Sequence, residues 1–216
     1  KADIPGEKFL NLTYRLKKAE ALLPMGHLIA TEQLPLGGSF QPKTAILAQG
    51  KIKTARKDGN LIVTAKQLLM EFDLKSGWLA KYHYKGQDFL DEHALFKTNF
   101  WRAPNDNDFG ANTPEKLKPW KLVADSIERL EIRSELIDSL AYVYATYQMP
   151  QVYGQLEMKY CINQLGEMRV SQSFLADTTK KVAVLPRFGM QWIMPSGFEA
   201  INYYGRGPVS YTHLRA

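Results

Sequence analysis

Cysteine is almost missing from this sequence: Cys161 stands alone among 216 residues. A single thiol excludes an internal disulfide and a cysteine-built zinc site. Within the apolar run "LEMKYCIN" it reads as a buried structural thiol. Histidine is scarce as well, and His27, His83, His93 and His213 are too scattered to suggest a ligand set. No run of about 18 apolar residues occurs, so nothing has the length of a membrane-spanning helix. No Gly-x-Ser-x-Gly elbow, phosphate-binding loop or dinucleotide fingerprint is present. Internal repeats and low-complexity segments are also lacking. With neither a signal peptide nor an initiator Met, the chain is expected to begin inside a longer polypeptide. Its compartment is therefore left open, cytoplasm or periplasm of a bacterium alike.

Charge is present but thinly spread. The net +6 comes from 28 basic and 22 acidic residues. The densest stretches, "RLKKAE" and "KIKTARK" (Lys51–Lys57), look like strands with one solvated face. A nucleic-acid protein concentrates its charge in a patch interleaved with aromatics, so neither nucleic acid nor membrane is expected as a partner.

What is abundant is short strands. In "FLNLTYRLKK", Leu10, Leu12, Tyr14 and Leu16 alternate with polar residues, the period of a half-buried strand. "LLPMGHLIATEQLPL" turns at Pro24 and Gly26 into a second strand. The Gly- and Pro-rich "PLGGSFQPK" reads as a linker. Beyond it, "KIKTARKDGNLIVTAK" is a hairpin turning at Asp58-Gly59-Asn60, and "LLMEFDLKSGWLAKYHYKG" another turning at Lys75-Ser76-Gly77. "SLAYVYATYQMP", "GQLEMKYCIN", "EMRVSQSFLA", "VAVLPRFGMQWIMP" and "FEAINYYG" continue in kind, which predicts an all-β, large antiparallel β-sandwich. The run "LAYVYATY" predicts a strand buried on both faces. Only "KLKPWKLVADSIERLEI" has room for a helix, and Pro119 limits it.

The unusual segment is "NFWRAPNDNDFG", Asn99 to Gly110. Asp106 and Asp108, at i and i+2 on a strand, would point the same way, as a pair of glycosidase carboxylates about 5 Å apart requires. Clustered Asp and Asn more often brace a turn by accepting backbone N–H groups. A calcium loop of the EF-hand kind fails, because its twelfth position counted from Asp106 is Leu117. Composition and spacing stop at a β-sandwich of unstated function.

Four motifs carry the argument further. "FKTNFWRAPNDNDFG", "LPRFGMQW" (Leu185–Trp192), "NYYGRGP" (Asn202–Pro208) and "LLPMGHLIATEQL" occur in the order found in β-galactosidases of glycoside hydrolase family 2. The chain resembles that family from about residue 8 to residue 208. The resemblance implies the last strands of an immunoglobulin-like sandwich over residues 1–38. It implies a truncated supersandwich of galactose-mutarotase type over 44–208. It also implies a parent that hydrolyses terminal β-galactosides with retention. The catalytic glutamates, with their magnesium and sodium, would lie in a barrel that needs at least about 200 residues of alternating strand and helix. Such a barrel does not fit in this chain. No catalytic residue, metal or cofactor is therefore expected here.

The resemblance further places Arg102, Asn105, Asp106, Asn107, Asp108, Gly110 and Asn112 near the substrate, as a brace beside the active-site mouth. Arg102 would be buried and bidentate to Asp106 or Asp108. Gly110 to Pro114 would form a loop able to move with ligand, Gly110 supplying the hinge. Residues 209–216, "VSYTHLRA", depart from the family pattern and read as a non-native tail. Expected partners are the remaining domains of the parent, its galactoside, and another copy through open sheet edges. Two other readings stay open. A stand-alone carbohydrate-binding module would need Trp78, Trp101, Trp120 or Trp192 exposed in a groove. An epimerase would need His83 or His93 beside a carboxylate.

Overall fold

The computed structural model describes residues 6–38, 46, 48 and 50–200. Residues 6–38 form one unit and residues 46–200 another. The motif "NYYGRGP" and the tail 209–216 lie outside the described residues.

The first unit is a single antiparallel hairpin. β1 (Lys8–Arg15) pairs with β2 (Leu28–Gly37), Leu12 opposite Glu32. Gly26, at φ 83°, closes the turn with its N–H on Leu16 O. Arg15 donates to Gly26 O at 2.9 Å. The period-2 pattern matches the strand but not a buried face: Leu10 and Tyr14 are exposed, and Leu12 and Leu16 are only half-buried.

The second unit is a sandwich. β3 (Lys53–Lys57), β4 (Asn60–Ala65), β5 (Leu68–Asp73), β6 (Leu79–Tyr84) and β7 (Gln87–Asp88) form one antiparallel meander in chain order. Its hairpins turn where Asp58-Gly59 and Gly77 permit positive φ. β8 (Lys97–Asn99) follows, then three short helices, α1 (Asp106–Gly110), α2 (Thr113–Lys116) and α3 (Lys118–Ser126). β9 (Glu128–Ile137), β10 (Leu140–Met149), β11 (Gly154–Ile162) and β12 (Met168–Ala176) form the second meander. β13 (Gly189–Gln191) returns to pair with β8.

The two meanders bury one continuous core. Leu61, Val63, Met70 and Phe72 from the first join Val143, Tyr147, Leu156, Met158 and Tyr160 from the second. Phe72 meets Tyr160 edge-on at 4.9 Å, and Trp78 stacks on Tyr147 at 4.3 Å. Each such aromatic pair adds about 0.5–1.5 kcal/mol beyond its buried area. Cys161 is buried and unbridged.

Three expectations change. β10 is not buried on both faces: Ala141, Val143, Ala145, Tyr147 and Met149 point into the core, and Tyr142, Tyr144, Thr146 and Gln148 are half-buried on the other side. The two tyrosines of that outer face are covered by cations, Arg133 over Tyr144 at 4.0 Å and Lys159 over Tyr142 at 4.8 Å. Pro119 does not limit α3. It sits in the first turn, where a missing N–H is harmless, and it lets Trp120 and Val123 bury one turn apart. Finally, "VAVLPRFGMQWIMP" yields only the three residues of β13, and no strand forms over 197–200.

Candidate functional site

The Asn99–Gly110 segment folds as a capped helix start, not as a strand. Asn105 is extended (φ −112°, ψ 180°) and its side-chain oxygen accepts from the Asp108 N–H. Asp108 Oδ2 accepts in return from the Asn105 N–H at 2.9 Å. This reciprocal capping box satisfies two donors that a helix N-terminus would otherwise leave orphaned.

Asp108 also carries Arg102. The guanidinium donates to Oδ2 at 2.6 Å and to Oδ1 at 2.8 Å, a bidentate charge-assisted pair. Arg102 donates again to Ala103 O, tying the chain back on itself. The burial is the reverse of the expectation. The Arg102 side chain is 43 % exposed and the carboxylate side chain, which also accepts from the helix-capping Asn105 N–H, 12 %. The Arg102 hydrogen bonds, followed by the Asn105 N–H, hold the Asp108 carboxyl below the usual carboxylate range.

Asp106 does not join this pair. Two residues apart on a helix is about 200° of rotation, and Asp106 and Asn107 are exposed on α1. The side-by-side carboxylates that a strand would have made are not formed. A cation has little to bind either, since the Asp108 and Asn105 oxygens are already committed to internal donors.

Gly110 ends α1 without positive φ; Asn112, at φ 53°, takes the left-handed step instead and caps α2. The expected loop Gly110–Pro114 is thus a two-residue link between helices. Thr113 and Pro114 already belong to α2.

Two distant motifs converge here. β8, from the Phe-Lys-Thr-Asn motif, pairs with β13, from Leu-Pro-Arg-x-Gly, with Asn99 opposite Gly189 and Thr98 opposite Met190. Thr98 is buried and donates to Gln172 Oε1 at 3.1 Å. Asn99 Oδ1 accepts from the Trp101 N–H. Phe100 packs into a cluster with Trp120, Phe174 and Phe188, its centroid 5.5 Å from Trp120. Trp120 donates to Ala183 O at 2.9 Å. Pro186 closes over Trp101, Arg102 and Pro104, leaving a cavity of about 10 Å³. That is room for about one water molecule. Asn99 and Pro186 were missed by sequence reasoning, since their roles depend on a contact spanning about ninety positions.

The tryptophans form no open groove among the described residues. Trp78 and Trp120 are core, Trp101 is half-buried, and Trp192 is 39 % exposed with its N–H on Phe89 O. His83 Nδ1 lies 2.8 Å from Asp88 Oδ1, a cross-strand pair on the exposed β6–β7 edge. His93 is exposed in a turn, where its backbone N–H meets Asp91.

These features define an antiparallel β-sandwich domain with a braced helical corner, and comparison with known proteins places it. Residues 64–211 match the family described as beta galactosidase small chain, and the chain belongs to that family. It is 28% identical to a beta-galactosidase of Priestia megaterium over 94% of this chain and 19% of the relative. Against beta-galactosidases of Psychromonas ingrahamii and Lactobacillus delbrueckii subsp. bulgaricus the identities are 25% and 26%. These alignments cover 93% and 96% of this chain, and 21% and 20% of the relatives. The chain therefore spans about a fifth of the length of the curated relatives it matches.

Proposed function

We infer that this chain is a non-catalytic C-terminal portion of a retaining β-galactosidase acting on terminal β-galactosides. Its Trp101–Pro114 corner braces the catalytic domain and shapes the mouth of the active site. The observation that carries this reading is the closure of the corner. Asp108 takes three N–H donors, the cavity beside it has a volume of about 10 Å³, and Phe100 and Trp120, which flank the segment in the chain, are core. The carboxylate at the centre of the site is thus committed to internal donors. Asp106, exposed on the rim, has among the described residues no second carboxylate beside it to complete a glycosidase pair. Such a site can hold a surface in place for a neighbouring domain. Arg102, Asn105 and Asp108 are the structural members of the brace. Asp106, Asn107, Gly110 and Asn112 form its exposed rim, the part that faces substrate in the full enzyme. The magnesium and sodium implied by the resemblance belong to the catalytic domain of the parent.

Two measurements on the 216-residue chain test this. Incubation with a chromogenic β-galactoside is expected to give no hydrolysis above buffer, and calorimetry with galactose and lactose at millimolar concentration no saturable heat. Turnover would overturn the non-catalytic assignment. Saturable sugar binding would replace the brace with a binding module.

A further inference from the structure

A second feature lies on another part of the sandwich, at the tips of two hairpins. One tip is the β4–β5 turn at Lys66 and Gln67. The other is the β11–β12 turn, built around Asn163, which is fully buried. Asn163 Oδ1 accepts from the N–H groups of Leu165 and Glu167 at 2.9 and 3.0 Å, and its amide donates to Glu167 Oε2 at 2.6 Å. Gly166, at φ 79°, lies flat on the Tyr84 ring, where a Cβ would come within 3.0 Å of the ring carbons. The Tyr82 hydroxyl donates to Gly166 O. Gln164 is in turn seated against Gly50, where an added Cβ would overlap its amide oxygen. The turn is therefore rigid, and its position over Tyr84 is set.

Between the tips runs a groove of about 590 Å³, within the usual size of a small-molecule site. Three lysines line it. Lys51 and Lys53 flank the buried Ile52 and so both face outward. Lys53 lies opposite Thr64 across β3–β4, and Lys66 follows Ala65 at the end of β4. No acidic residue lines the groove. Among the described residues none of the three lysines has a carboxylate partner, whereas Lys57 and Lys118 do. Three like charges thus border a groove whose other polar lining is neutral, Thr64, Gln67, Tyr84 and Gln164. Such a cleft focuses positive potential, and a multiply charged anion relieves the repulsion.

We propose that this groove binds a small phosphate-bearing anion of two or more negative charges. Lys51, Lys53 and Lys66 supply the charge, and the Gln67 and Gln164 amides supply oriented donors. The ammonium groups contact the phosphate oxygens as point charges, as lysine does in other phosphate sites. The inference is independent of the glycosidase reading.

The test uses the whole 216-residue chain in low-salt buffer. Inorganic pyrophosphate and a hexose 6-phosphate are titrated separately, which distinguishes free phosphate from sugar-borne phosphate. Saturable binding of at least one is expected, weakened about tenfold or more in the triple variant Lys51→Ala, Lys53→Ala, Lys66→Ala. The control triple Lys57→Ala, Lys75→Ala, Lys118→Ala removes as much charge elsewhere and should bind as the parent does. Amide NMR on the unsubstituted chain makes the test independent of variant folding: the side-chain NH₂ signals of Gln67 and Gln164 should shift on titration. Equal weakening by both triples, no saturable binding, or motionless Gln67 and Gln164 signals would each overturn the site.

Discussion

Arg102 and Asp108 stand six residues apart, yet one carboxylate joins them to the start of a helix: both oxygens take the guanidinium, and one of them also takes the Asn105 N–H. Both hydrogen-bond donors and the positive charge favour the ionised acid. A folded-state pKa below the unfolded value of about 3.9 means stability that is present above pH 4 and lost as pH falls through the folded value. Asp73 and Asp177, whose carboxyls are also held low by turn hydrogen bonds to Ser76 and Thr179, act in the same direction. Asp108→Asn should lower the melting temperature at pH 7 and flatten the acid limb of the stability profile. An acid limb identical to that of the parent would show that Asp108 is not ionically engaged.

Asn105 tests the cap apart from the ion pair. Asn105→Ala removes the acceptor for the Asp108 N–H but leaves the Arg102 contact in place. The expected loss is about 1 kcal/mol, the usual value for a cap of this type. Asn105→Asp, which keeps an acceptor at the helix N-terminus, should recover most of it. Urea unfolding of the three proteins gives the comparison, and equal midpoints would mean that α1 contributes nothing to the cooperative unit.

The hydroxyl of Tyr147 is buried without a partner among the described residues, and burial pushes its pKa upward. An unpaired buried hydroxyl costs about 1–3 kcal/mol, so Tyr147→Phe is expected to stabilise by about 1 kcal/mol while keeping the stack on Trp78. Gly77 is coupled to it. At φ 80°, a Cβ at Gly77 would stand 2.6 Å from that hydroxyl. Gly77→Ala should therefore destabilise by about 1–2 kcal/mol through backbone strain and this overlap, and by less in the Tyr147→Phe background. Strict additivity in the double-mutant cycle would contradict the overlap.

On the outer face of β10, the hydrogen bond from Tyr144 to Glu135, reinforced by partial burial, pushes the phenol up to about 12. Its unfolded value is about 10. The stability that Tyr144 contributes is thus complete below pH 10 and lost as pH rises through 12. In Glu135→Ala, ultraviolet titration should show one tyrosine ionising at lower pH, and the alkaline limb of unfolding should move down with it. No change in either would remove the bond from the account.

Much of this was legible in the sequence, and the failures have physical causes. The turns at Asp58-Gly59 and Gly77 announced their hairpins because positive φ is cheap there. β10 misled because tyrosine counts as apolar: Tyr142 and Tyr144 hid an alternation that Ala141, Val143 and Ala145 carry. The helix at Asp106 was missed because five residues leave no periodicity to read. Its one signal was Asn105 followed at the third place by Asp108, a capping box written with the shorter acid in place of glutamate. The pairing of Asn99 with Gly189 joins strands ninety positions apart, and nothing local encodes it.

Gly110 offers the last check, on whether the corner is a brace or a hinge. Its backbone is not in the left-handed region, and a Cβ added there would meet nothing within 4 Å. Alanine also loses less backbone entropy on folding than glycine. Gly110→Ala should accordingly stabilise the chain by about 0.4–1 kcal/mol, read as a higher urea midpoint with an unchanged slope. The positive φ at Asn112 gives the contrasting expectation, because Asn112→Val would force a β-branched residue into the left-handed region and should lower the midpoint. If Gly110→Ala were instead destabilising, the glycine would be sampling conformations that alanine resists, and the link between α1 and α2 would have to be treated as a moving part.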